Sequence, residues 1–118
     1  MWRTPFVRGK TMHPKELANQ FAKKIVEGAF QEAHGMLAGS LQEDWPPQVL
    51  KETFEEMIEY FEGSPIHLVM DFDDEFSITK IEGGTFVYVP VESDEGSEAI
   101  AVLVNGDGQI IEVEFGRP

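Results

Sequence analysis

The stretch from residue 85 to residue 115 alternates between apolar and other side chains, and it limits the fold more than any other part of the chain. Valine occupies every second position from 87 to 91, and Asn105-Gly106 interrupts a second run further on. A period of two is typical of strands that bury one face, and Asn-Gly is a favoured hairpin turn. The pattern therefore predicts three successive antiparallel strands, at 85–91, 97–104 and 109–115.

The last two of these strands differ in how many faces they bury. Strand 97–104 is apolar at all but its first two positions, as expected of a strand that is covered on both sides. In strand 109–115 the alternation directs Ile111, Val113 and Phe115 toward the core, while the glutamates between them face water. The sheet is thus expected to have one apolar face toward the core and an outer face on which apolar and acidic side chains are mixed.

Two shorter alternating runs, 66–71 and 76–81, predict two further strands upstream. Gly83-Gly84 follows them and predicts a hairpin turn. Pro90 has no backbone N–H to donate within a sheet, so its strand is expected at an edge or beside a bulge.

Helix-patterned segments precede all the strands. The first begins at Pro14, with His13 as its cap, and ends at Gly28; the second spans about 29–37. The third follows Asp44, which is predicted to mark its start, and carries one apolar and one acidic face. Helices followed by strands predict an α+β domain, with the helices packed on a curved antiparallel sheet.

Composition sets the class of protein. The chain has 118 residues, 42% hydrophobic and 26% charged, with no cysteine, which suits one soluble domain and excludes disulfides and thiolate chemistry. Neither an export signal nor a membrane span is apparent, so a cytoplasmic location is expected. Residues 1–12 are predicted to be a flexible basic arm, and residues 13–118 a single domain.

The net charge restricts the partners. Six basic residues and one acidic residue within 1–24 give that segment +5, so the remainder carries −18 of the total −13. Such an acidic surface repels phosphate backbones and anionic lipid, which excludes nucleic acid and membrane as main partners. A neutral ligand, a cation or a basic protein is expected as the partner. The alternative is that the negative charge serves only to keep the protein soluble.

The helical region carries a recognisable motif, Leu17-Ala18-x-x-Phe21-x-x-x-Ile25-x-x-Gly28-x-Phe30-x-x-Ala33-His34-x-Met36-Leu37. With the third helix and the strands, it resembles the nuclear transport factor 2-like superfamily over most of residues 13–116. The resemblance implies a cone-shaped sheet whose mouth is closed by helices around a pocket. Superfamily members include cofactor-free enzymes, transport factors and immunity proteins, so the fold does not choose a function. Helix one lacks the tyrosine that the steroid isomerase branch would require.

The candidate pocket is expected to be lined by side chains that combine apolar surface with a few polar groups. These candidates are His34, Trp45, Tyr60, Phe61, Val113 and Phe115. His34 has two interpretations, a general acid or base working with Asp71, or a structural imidazole bonded to a backbone carbonyl.

A homodimer is expected through the outer face of the sheet, with Phe86, Tyr88, Ala101 and Leu103 as candidate contacts. The acidic segment 71–82 has the oxygen spacing of a calcium loop, but Phe76 stands where that loop needs glycine. No metal or cofactor is therefore expected.

The favoured function is a non-catalytic domain that binds a small apolar ligand or a basic protein. Two alternatives stay open: a cofactor-free isomerase, hydratase or cyclase with its site in the cone, and an acidic immunity-type inhibitor of a basic toxin.

Overall fold

The computed structural model describes residues 13–116 and confirms an α+β arrangement of helices and an antiparallel sheet. The predicted basic arm, residues 1–12, lies outside the described residues. The helices are α1 Pro14–Val26, α2 Phe30–Gly35, α3 Gly39–Gln42, α4 Pro47–Glu59 and α5 Asp74–Ser77. The strands are β1 His67–Leu68, β2 Ile78–Ile81, β3 Gly84–Ser93, β4 Gly96–Val104 and β5 Ile110–Gly116. Between residues 13 and 116, no helix has the length and apolar character needed to cross a membrane.

Helix α1 begins and ends as its sequence predicts. The His13 side chain accepts a hydrogen bond from the backbone N–H of Lys15 at 3.4 Å, and Pro14 occupies the first turn. Gly28 has φ +83°, a left-handed conformation that terminates the helix and favours glycine. The buried face of α1 then packs into the core through Leu17, Ala18, Phe21, Ala22 and Ile25.

The connection between α2 and α4 contains a single helical turn, α3, which the sequence pattern did not predict. Asp44 does not cap α4; its backbone N–H bonds to the carbonyl of Leu41 at the end of that turn. Pro46 takes the cap position, with no side-chain hydrogen bond, and Pro47 begins the helix. The first turn tolerates proline because its N–H would lack a helical partner in any case.

Within residues 13–116 the sheet has five strands, in the order β1-β3-β4-β5, with β2 also paired to β3. Strands β1 and β2 share one edge of β3, β2 opposite residues 84–87 and β1 opposite residues 91–92. β3 is therefore a central strand, so the part of the expectation that placed Pro90 on an edge strand was wrong. Pro90 lies just beyond the residues that pair with β1, and its carbonyl oxygen accepts a hydrogen bond from the backbone N–H of Val69 at 2.9 Å. Its missing N–H costs little because neither β1 nor β2 pairs with this residue.

Strand β4 is buried on both sides, as predicted, from Glu98 to Val104. On the inner face, Val87 pairs with Val102 and Val89 with Ile100, and these side chains join those of α1 and α4 in the core. The opposite face of β4 is the outer face.

A β-bulge changes the orientation of β5. The register shifts between Leu103 and Val104, so Ile110 pairs with Val104 and is fully buried. Ile111 is therefore displaced from the core, and the prediction that it faces inward was wrong. Val113 and Phe115 follow the bulge and do contact the core, because they pair with the inward-facing Val102 and Ile100 of β4.

Candidate ligand-binding cleft

A cleft of about 300 Å³ lies between the C-terminal half of α4 and one end of the sheet. Its α4 residues recur at the spacing of one helix face, so they all point toward the same side. The sheet residues come from the start of β4 and the end of β5. The lining consists of Thr53, Glu56, Met57, Tyr60, Glu98, Phe115 and Gly116.

Glu98 is the buried acid of this cleft. It pairs across the sheet with Val91, which places it on the inner face, and only 6% of it is exposed. Every later inward position of β4 holds an apolar residue. The sequence signal for this residue is an acid in the inward phase of an otherwise apolar strand, yet Glu98 was absent from the predicted pocket residues.

Tyr60, directly after α4, forms one wall of the cleft and is 54% exposed. Its ring lies edge-on to that of Phe61, with centroids 6.0 Å apart. A Cβ placed on Gly96 would lie 3.5 Å from Cε2 of Tyr60, so the tyrosine ring rests against the start of β4. The contacts on two sides hold the ring over the cleft.

Phe115 forms another wall and is supported by Trp45. The two rings are tilted by 51° with centroids 5.6 Å apart. Trp45 is half-buried against the core from outside the lining, whereas Phe61 and Val113 are buried within the core itself. Among the sequence-predicted pocket residues, the structure thus brings Tyr60 and Phe115 together in this cleft, with Trp45 behind them.

His34 belongs to a different contact. Its Nε2 lies 3.1 Å from the backbone carbonyl of Gln42, and the Gln42 side chain donates to the carbonyl of Leu37 at 3.1 Å. A carbonyl only accepts, so Nε2 carries the proton in this bond. The imidazole links α2 to the end of α3, and no hydrogen bond within residues 13–116 connects it to Asp71.

The acidic segment around α5 has structural roles. Asp73 accepts from the backbone N–H of Glu75 at 3.0 Å and caps α5, while Asp74 pairs with Lys15 at 2.7 Å. Across the described chain, no group of three or more histidine, aspartate or glutamate side chains is arranged to hold a metal ion. Of these two carboxylates, Asp73 stands at a ligand position of the calcium-loop spacing, and its side chain serves as the cap of α5.

A larger cavity of about 560 Å³ lies at the opposite end of the sheet, beside Pro14 and the two hairpin turns. Size does not make it the better candidate, because glycines and strand ends form most of its described lining, in which Lys80 is the one ionisable side chain. Ligand sites usually combine apolar walls with a few convergent polar groups. The smaller cleft has that combination.

The outer face of the sheet carries a stacked aromatic pair. The rings of Phe86 and Tyr88 lie 5.6 Å apart at 17°, and their partners across β4 are Leu103 and Ala101. The sheet therefore brings the four candidate dimer contacts together on one face. Ala101 and Leu103 are already buried within the single chain, at 2% and 5% exposure.

Comparison with protein-family models, with curated proteins and with solved structures finds no match to this chain. The chemistry of the cleft is the available guide to function. Its carboxylates can accept hydrogen bonds or pair with a cation, and its two aromatic rings supply flat apolar surface.

Proposed function

We propose that the protein is a non-catalytic domain that binds a small molecule in the cleft between α4 and the sheet. The observation that carries the proposal is a buried glutamate, Glu98, in a cleft walled by Tyr60 and Phe115. A volume of about 300 Å³ is at the lower end for small-molecule sites. An apolar body held by aromatic walls, with a polar group reaching the carboxylate, suits this site.

We also infer that the chain is a member of the nuclear transport factor 2-like superfamily with a cone-shaped sheet. Support comes from the four helices that precede the first strand, and from the tight turn at Gly28 between α1 and α2. The packing of α1 and α4 on the inner sheet face fits the same arrangement.

Binding is favoured over cofactor-free catalysis because of how the histidine is engaged. The enzyme alternative needs His34 and Asp71 to converge in an open cavity. His34 instead bonds to the Gln42 carbonyl, and neither residue lines the cleft.

The proposal is tested with ¹³C-methyl methionine NMR, using benzyl alcohol as a neutral aromatic probe. Met57 lines the cleft and Met70 is exposed elsewhere. We expect a saturable shift of the Met57 methyl signal while the Met70 signal stays in place. Thr53→Phe should fill the cleft and abolish the shift, whereas Gln48→Phe, an exposed position on the same helix, should preserve it.

A Met57 signal that stays fixed, or one that shifts equally in the Thr53→Phe variant, would contradict binding in this cleft. The unfolding midpoint of each variant serves to verify that it is folded.

We further propose that the outer face mediates a homodimer. The favouring observation is the stacked pair of Phe86 and Tyr88, which remains only half-buried in the single chain. Such aromatic surface is enriched at protein interfaces.

A further inference from the structure

We propose that the cleft selects organic cations, specifically small molecules with an ammonium group on an apolar or aromatic body. This inference rests on the proposed function, because it names the chemical class of ligand that the same cleft would take. It follows from the charge, the walls and the size of the cleft.

Among the described lining residues of the cleft, the two charged side chains are both acidic. Glu98 lies at its buried side and Glu56 at its exposed rim, and no lysine, arginine or histidine is among the described lining residues. An ammonium group could donate to the buried carboxylate while the second carboxylate strengthens the negative potential at the entrance. A carboxylate or phosphate ligand would meet repulsion from both.

The aromatic walls favour the same class of ligand. A cation near a ring face is attracted by the ring quadrupole, and Tyr60 and Phe115 both border the cleft. Trp45 packs against Phe115 at 5.6 Å and so restricts its ring. Met57 adds a polarisable apolar surface for the body of the ligand.

Tyr60 and Glu98 each already take part in other interactions, so the inference depends on charge and shape rather than on an unsatisfied group.

The test compares benzylamine with benzyl alcohol, two probes of similar size that differ in charge, through the Met57 methyl signal of the full chain. We expect benzylamine to bind about tenfold more tightly, the preference that one charge-assisted hydrogen bond provides. Glu98→Gln should remove that preference and Glu56→Gln should reduce it. Glu55→Gln, an exposed acid on α4 outside the lining, should leave it intact.

The outcomes separate this inference from the proposed function. Equal binding of both probes would overturn cation selection and leave small-molecule binding standing, whereas no shift with either probe would remove both proposals. If Glu98→Gln fails to fold, an unchanged preference in Glu56→Gln would overturn the inference.

Discussion

Gly84, the first residue of β3, is required by a close approach between two backbones. A Cβ at this position would collide with the carbonyl oxygen of Val104, at the end of β4. Gly106, in the β4–β5 turn, has open space around it and no positive φ. The two glycines therefore form a matched pair for mutation. Gly84 is required by the backbone contact, whereas Gly106 can accept a side chain.

Gly84→Ala is expected to reduce the free energy of unfolding by about 1–3 kcal/mol, because one strand must shift to accommodate the methyl group. Gly106→Ala should change it by less than about 0.5 kcal/mol. Urea denaturation followed by circular dichroism measures both values. Equal effects of the two substitutions would show that the close approach at Gly84 has no energetic importance.

At the scale of elements, Lys15 connects α1 to the segment that carries α5. Its Nζ lies 2.7 Å from Asp74 Oδ1, 3.4 Å from the carbonyl oxygen of Phe72 and 4.6 Å from the centre of the Phe72 ring. The Lys15 side chain is 27% exposed. A second ion pair, between Lys24 of α1 and Glu32 of α2, is more exposed on both sides.

Lys15→Met keeps the apolar stem but removes the charge, and it should lower the free energy of unfolding by about 1 kcal/mol at low ionic strength. Added salt should shrink the difference from wild type, because the ion pair is partly solvent-exposed. Lys24→Met is the comparison and should have a smaller effect. Denaturation curves at two salt concentrations provide the measurement, and a larger loss from Lys24→Met would contradict the ranking.

The Lys24–Glu32 ion pair makes a pH-dependent contribution to stability. The hydrogen bond from Lys24 to Glu32, together with the Glu32 charge, raises the pKa of Lys24 above its ordinary value. Because the pKa of Lys24 is raised in the folded state, the contribution of this ion pair to the free energy of unfolding is present below the ordinary lysine pKa. It is lost as the pH rises through the folded value.

Local sequence patterns predicted a helix or strand well where its structure depends only on its own residues. The alternation of β3, β4 and β5 and the turn at Asn105 were readable because side-chain period and turn chemistry are local. Helix α3 was missed because four residues leave no periodic pattern. Ile111 was placed inward because a bulge depends on pairing with another strand, which the sequence of one strand does not reveal.

The candidate site was harder to predict because its residues come from distant parts of the chain. Tyr60 and Phe115 could be named as amphipathic or apolar aromatics. Their meeting with Glu98 depends on how α4 packs over the end of the sheet, a tertiary relation with no local signature. His34 had a clear helical position, but its bond to the Gln42 carbonyl was decided by the α3 turn.

For the whole molecule, the net charge of −13 opposes self-association that the outer aromatic face favours. Glu112 and Glu114 pair with Leu103 and Ala101, so their charges lie on that same face. Salt screens like charges over a Debye length of about 10 Å at 0.1 M. The proposed homodimer should therefore be sensitive to ionic strength.

We expect the dimer fraction to increase when the ionic strength rises from about 0.01 M to about 0.15 M, as repulsion is screened. Light scattering over a concentration series measures this fraction. Tyr88→Glu should give a monomer under both conditions, while Gln31→Glu, which adds the same charge at an exposed position on α2, should not. A wild-type monomer at every concentration and salt level would rule out the homodimer.

The segment after α2 forms a parallel β-bridge with the start of β5, between Leu37 and Ile110, and this bridge affects how open the edge of the sheet is to other chains. Within the described residues, β5 ends the sheet, and unpaired strand edges invite the addition of further chains. The segment after α2 covers the start of β5 through this bridge, since the Ala38 N–H bonds to the Ile110 carbonyl at 2.9 Å. Glu112 and Glu114 place charges along the rest of that edge. Strand β5 is thus protected from pairing with other chains in two ways. A backbone hydrogen bond covers its first residue, and negative charges repel other chains along the rest of the strand.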